Sequence, residues 1–169
     1  NGNYQYDPEI IEICNKQLNN LEKHKVIIEN LKPKIDANKL WNCWGTLRAK
    51  SIYEDIITMN IKDVNEMTPQ AIWEYNKGIK LTDEDVKSAL NSRIELSNDV
   101  NSLFGDFDFL ALPSQQSFPF DKNLRYPEQI NDKLMDTYHR WIEIHIFASL
   151  FYLPSISLPI GFNKEGFPI

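Results

Sequence analysis

Between Thr82 and Gly105 the sequence admits one local answer, a long α-helix. Thr82-Asp83-Glu84-Asp85 places a hydroxyl acceptor at the start and three acids in the first turn, where unpaired N–H groups and the helix dipole favour negative charge. Asp85 occupies the third helical position and is a near match to a capping-box partner. Val86, Leu90, Ile94, Ser97, Val100 and Phe104 fall on one face, and Gly105 supplies a stop. The same punctuation recurs elsewhere. Asp7-Pro8 opens a helix that ends near His24, with Ile10, Cys14, Leu18 and Leu21 as its apolar stripe. Asp36 caps a second, with Leu40, Trp44, Leu47 and Ile52 as its buried face. Thr68-Pro69 opens a third that carries Trp73 and stops at Gly78.

Between these helices stand short apolar runs that read as buried strands. They are Val26-Ile27-Ile28, stopped by Pro33, then 107–112, and then 155–159. Residues 60–66 read as a loop, 113–125 as a long proline loop, 132–147 as a further helix, and 163–166 as a turn. Helices alternating with strands predict an α/β fold, with helices packed on a mixed β-sheet.

Bulk composition narrows the function classes. With 169 residues, 42% hydrophobic and 25% charged, the chain can build one core of ordinary size. A net charge of −6 and scattered cations argue against a nucleic-acid partner. The longest apolar stretch, 142–158, is broken by Glu143, His145, Ser149 and Pro154, so no membrane span is expected. Cys14 and Cys43 both lie in helical patterns and read as free thiols, which suits the cytoplasm. The first ten residues have neither the basic start nor the apolar core of a signal peptide, and no initiating Met. Both ends read as interruptions of a longer protein.

Most site chemistries find no support in the sequence. His24, His139 and His145 form no HxxxH or HExxH pair, so no metal is expected. Six glycines form neither GxGxxG nor a P-loop, so no nucleotide cofactor is expected. No GxSxG elbow holds a serine nucleophile. Tyr138-His139-Arg140-Trp141 could line a cleft, but reads first as a core-anchoring Trp141 with His139 and Arg140 facing water or capping neighbours. Trp41, Trp44 and Trp73 read as packing residues, with Trp41 the more outward of the first two. The loop Pro113-Ser114-Gln115-Gln116-Ser117-Phe118-Pro119-Phe120 is the best binding candidate. It leaves the C-terminal end of an expected strand and mixes amides, hydroxyls and aromatics.

Three ordered blocks resemble the C-terminal part of the amidase-signature hydrolases. The first, FGDFDFLALP at 104–113, is similar to a helix end followed by an acidic, Leu-containing strand that closes on Pro. The second is the loop PSQQSFPF. The third runs from Trp141 to Ile169. It comprises a Trp-centred helix, Leu153-Pro154-Ser155, the segment Ser157-Leu158-Pro159-Ile160-Gly161-Phe162, and the turn Gly166-Phe167-Pro168. Weaker similarity covers 6–36. Tyr152 departs from the pattern, because a small Gly often precedes Leu-Pro there. Ser149 and Phe147 depart as well.

The resemblance implies a fold, a reaction and a partition of labour. Residues 1–169 would be the C-terminal part of one amidase-like domain, an incomplete part of that fold. The whole protein would cleave a small-molecule amide to an acid and ammonia or an amine. The family's triad is a lysine and two serines, the middle serine on a cis peptide. The glycine-serine-rich segment that carries part of it has no counterpart here, so no catalytic residue is expected in this chain and the chain alone should be inert. The substrate-pocket candidates are Ser114, Gln116, Phe118, Phe120, His145 and Phe147. The expected partner is the remaining N-terminal part of the same protein, and a homodimer is compatible with the sequence. The competing readings are a non-catalytic interaction module on the same scaffold and a glutamine-amidotransferase subunit.

Overall fold

The computed structural model describes residues 4–32 and 34–169. Five α-helices are present among them, α1 (Pro8–Leu21), α2 (Ala37–Thr58), α3 (Pro69–Gly78), α4 (Asp83–Leu103) and α5 (Ile146–Leu150). Short 3₁₀ turns cover Glu22–His24, Val64–Glu66 and Arg140–His145. The chain divides into two compact units, one formed by 34–108 and the other by 1–33 with 109–169.

The helix starts follow from their caps. Asp7 Oδ1 accepts from the Glu9 amide at 3.1 Å, and Asp36 Oδ1 accepts from Asn38 and Lys39 at 2.9 and 3.0 Å. Thr68 accepts from the Ala71 amide ahead of Pro69. At α4 the capping box closes in both directions: the Asp85 amide donates to Thr82 Oγ1 at 3.2 Å, and the Thr82 amide donates to Asp85 Oδ2 at 2.8 Å. Each such bond satisfies an N–H that the helix itself cannot pair.

In the 34–108 unit, α2 packs on both α3 and α4. Its buried positions are Leu40, Cys43, Gly45, Ala49 and Ile56, so Trp44 and Ile52 lie half-buried at the margin of the stripe. The α4 face is rotated from the predicted one. Ala89, Leu96 and Val100 are buried, whereas Leu90 and Ile94 are exposed. A small residue at 89 lets α4 approach α2 closely enough for the Cys43 thiol to donate to the Ala89 carbonyl at 3.1 Å. Arg48 Nε donates to the buried Glu74 carboxylate at 2.7 Å, and Lys39 pairs with Glu95. Gly78 is where α3 meets α2. A Cβ built there would lie 2.4 Å from Tyr53 Cβ and 2.5 Å from the Ala49 carbonyl oxygen.

In the other unit, Ile10 and Cys14 of α1 pack with Ile169, flanked by Ile13, Phe118 and Ile160. The last ten residues turn back on themselves. Ile160 and Ile169 exchange backbone bonds with the facing strand of the turn, and Asn163 Oδ1 caps the Glu165 and Phe167 amides as Gly166 takes φ 86°.

The predicted strands are not formed among the described residues. Segments 26–28, 107–112 and 155–159 run without ladder partners, and each leaves an apolar side chain outward, with Ile27 85%, Phe109 88% and Ile156 80% exposed. The expected stop at Pro33 lies outside the described residues. The sheet that does form is the hairpin β1 (Gln129–Ile130) and β2 (Lys133–Leu134). The mixed sheet of the sequence reading is therefore not seen, and the described residues are mainly helical. The predicted 132–147 helix is also corrected. Asn131 and Asp132 both take left-handed backbone angles, φ 47° and 60°, which closes a two-residue hairpin turn instead of starting a helix. Helical structure begins only at Arg140.

The Gly78→Ala substitution should destabilise the protein by about 1–3 kcal/mol, the usual cost of forcing a group into a packed contact. Urea unfolding of the natural polypeptide measures it, and an unchanged midpoint would contradict the close α2–α3 approach.

Candidate functional site

Loop 113–120 was the strongest binding candidate, and Gln116 is its centre. Its side chain is 1% exposed. Nε2 donates to the Gln5 carbonyl at 2.9 Å, and Oε1 accepts from the Ile144 amide at 3.1 Å. Its own carbonyl accepts from the Asp7 amide at 2.8 Å. One residue thus ties the segment before α1, the proline loop and the 140–145 turn together. Phe118 turns inward with it, against the Ile10–Cys14–Ile169 cluster, with its ring 6.4 Å from that of Phe167.

The other four candidates are exposed or half-buried. Ser114 and His145 are exposed. Phe120 stands edge-on to Trp141 at 5.3 Å, and Phe147 edge-on to Phe151 at 5.5 Å. The six residues therefore form an inner pair that builds the loop and an outer set that edges it. Gln116 accepts from the amide of Ile144, the residue just before His145.

A cluster that sequence reasoning passed over lies on the same turn. Arg140 grips Asp136 with two bonds, Nε to Oδ1 at 2.9 Å and Nη2 to Oδ2 at 2.8 Å, and reaches Glu143 Oε1 through Nη1 at 2.8 Å. Glu143 is 6% exposed, and burial raises its pKa against the opposing pull of Arg140. The Arg140 hydrogen bonds hold the Asp136 carboxyl below its ordinary range. Burial pushes the Tyr4 hydroxyl up to about 12, helped by the nearby Glu143 charge, and burial raises Tyr6 as well, with smaller contributions from Tyr4, Cys14 and Glu143. His139 is buried rather than turned to water as expected, while Trp141 is half-buried against Phe120. The signal that could have located the cluster was the Asp136–Arg140–Glu143 spacing, three acid and base positions on one side of a turn.

Tyr152 ends α5 with φ 54°, and the Leu153 amide returns to the Ala148 carbonyl at 3.0 Å. That left-handed position is the one glycine fills at least cost. It explains why a glycine suits this place and why Tyr152 is an exception. The hydroxyls of Ser117 and Thr137 are buried without a hydrogen-bond partner among the described residues. No group of three or more His, Cys, Asp or Glu able to hold a metal ion occurs among the described residues, and no described helix is long and apolar enough to cross a membrane.

The Gln116→Ala substitution should cost about 2–4 kcal/mol, because it strands a buried N–H and a buried carbonyl and leaves a void. Ser114→Ala should stay within about 0.5 kcal/mol. Thermal unfolding of the two variants separates a clasp from a surface position, and equal shifts would contradict the assignment.

Comparison with known proteins places this geometry. The chain superposes on a bacterial aryl acylamidase of the amidase-signature family with a TM-score of 0.81 at 15% identity, covering 98% of this chain and 36% of that one. It superposes on a second amidase with a TM-score of 0.80 at 17% identity, covering 96% of this chain and 37% of the other. This chain thus spans little more than a third of either structure's length. No curated protein matches it in sequence. The Amidase family profile matches residues 2–169, nearly the whole chain, so the chain belongs to the amidase family.

Proposed function

We propose that the polypeptide carrying this chain hydrolyses a linear carboxamide to a carboxylate and ammonia or an amine, and that residues 1–169 are the C-terminal part of its single amidase-like domain. The observation that carries this reading is the family match over 2–169. The outward apolar segments around Ile27, Phe109 and Ile156 support the second half. Such segments suit strands that complete a mixed sheet with the N-terminal part of the protein, since open apolar edges are otherwise a liability.

In this reading the chemistry belongs to a lysine, a cis-linked serine and a nucleophilic serine outside 1–169. The nucleophile's oxygen bonds to the amide carbon while its proton passes through the base network to the leaving nitrogen. The C–N bond breaks and an acyl-enzyme ester forms. Water then adds to the ester, and the acid leaves with the serine restored. Backbone amides outside this chain hold the developing oxyanion. The present chain contributes a wall. Ser114, Phe120, His145 and Phe147 face the amide substrate, and Gln116 and Phe118 hold the loop that presents them. The buried thiols of Cys14 and Cys43, both free, suit a cytoplasmic protein.

The test is ammonia or amine release from a panel of primary amides and anilides by the natural polypeptide, followed by fluorophosphonate labelling and peptide mass mapping. Hydrolysis with the label on a serine outside 1–169 is expected. A label on Ser114, or no turnover and no label across the panel, overturns the reading. Phe120→Ala should lower kcat/KM by about tenfold or more for the best substrate, in line with loss of one apolar contact.

A further inference from the structure

The interior of α2 holds a glycine that helix propensity disfavours. Gly45 is buried and lies well inside Ala37–Thr58, where glycine costs about 1 kcal/mol relative to alanine. Beyond its chain neighbours and its own helix backbone, a Cβ built at 45 meets one atom within 4 Å, Lys77 Nζ of α3 at 3.0 Å. Gly78 differs, since the space at its Cβ is bounded by fixed atoms of α2. At Gly45 the space is taken by the tip of a flexible lysine. Lys77 Nζ also stands 5.2 Å from the centroid of the Trp73 ring, one turn back on α3. Glu74 lies between the two in sequence, but its buried carboxylate accepts from Arg48 Nε at 2.7 Å. Among the described residues Lys77 enters no salt bridge. Its side chain is half-buried, and Trp73 beside it is 39% exposed, so the seat opens to solvent.

We propose that Lys77, seated in the Gly45 notch of α2 against Trp73, is a reactive amine and a site of acylation by small acyl thioesters. A lysine becomes a nucleophile when its ammonium is partly stripped of water and no carboxylate holds its proton. Both conditions are met by the notch, with Glu74 engaged by Arg48. In line with this, burial lowers the Lys77 pKa and outweighs the opposing charge of Glu74. The ammonium first gives a proton to solvent. The Nζ lone pair then attacks the thioester carbonyl carbon, the N–C bond forms and the C–S bond breaks. The thiol leaves with the second proton lost from Nζ, and no oxidant or reductant is needed. A thioester suits the site because its thiolate departs without an acid catalyst. The product is a neutral amide, which suits a half-dry seat beside an indole better than a hydrated cation. This inference does not depend on the hydrolytic reading, because its signal is a covalent mark on residues 34–108 and not turnover.

Incubation of the natural polypeptide with the acetyl thioester of N-acetylcysteamine at mildly alkaline pH tests it, with initial acetylation rates read lysine by lysine by peptide mass spectrometry. Lys77 should be acetylated several-fold faster than Lys62 and Lys80, which are exposed. The Gly45→Ala variant isolates the notch. The added methyl displaces only the tip of a flexible side chain, and alanine favours the helix, so the melting temperature should not fall. The Lys77 rate in that variant should drop to the level of Lys62. A wild-type Lys77 rate at or below those of Lys62 and Lys80 overturns the inference, and so does an unchanged Lys77 rate in a folded Gly45→Ala. If Gly45→Ala does not fold, the pH dependence of acetylation in the wild type decides. A half-maximal rate at lower pH for Lys77 than for Lys62 supports the reactive amine, and one at equal or higher pH overturns it.

Discussion

The unit built from both ends of this sequence depends on one amide side chain. Gln116 supplies a donor and a backbone carbonyl to the segment before α1 and an acceptor to the 140–145 turn, which joins both to its own loop. A buried N–H or C=O without a partner costs about 1–3 kcal/mol, so irregular segments can meet in an interior only where something satisfies them. Helices and sheets do this for themselves, while the segment at 4–7 and the loop at 113–120 depend on partners elsewhere in the chain. The apolar contacts of Ile10, Cys14, Phe118 and Ile169 then form beneath a frame whose polar groups are already matched.

The helical elements were legible in the sequence because their determinants are local. Asp7-Pro8, Asp36, Thr68-Pro69 and the Thr82–Asp85 box each act within four residues, and each begins a helix where the residues said it would. The strands were not legible in the same way, because a strand is a relation between two segments. Val26-Ile27-Ile28 and 155–159 have strand composition, yet the described residues offer them no ladder. The α4 face was misread by a small rotation. Its apolar residues occupy two stripes, and periodicity alone does not say which one meets α2. Asn131-Asp132 stands among helix formers, and its turn rests on two residues that tolerate left-handed angles, a backbone choice that periodicity does not report.

The candidate site was legible as a place more than as a list. The proline loop was singled out for its amides and aromatics, and it does hold the residue on which its unit turns. Sequence alone could not distinguish Gln116, which looks inward, from Ser114, which looks outward. That difference arises from Gln5 and Ile144, which are distant in sequence. The Asp136–Arg140–Glu143 group was hidden for a related reason. Its charges read as an ordinary solvated face until burial of Glu143 turns them into an interior network.

The Gln5–Gln116 bond spans 111 positions of chain. During synthesis at about 5–20 residues per second, the acceptor carbonyl leaves the ribosome roughly 6 to 22 s before the side chain that binds it. Residues 34–108 emerge wholly within that interval, and they form a compact unit of contiguous sequence in which α2 packs on α3 and α4. Residues 34–108 can therefore be finished while the segment before α1 is still waiting, and the nascent chain must keep Tyr4 to Asp7 out of other company until the proline loop arrives.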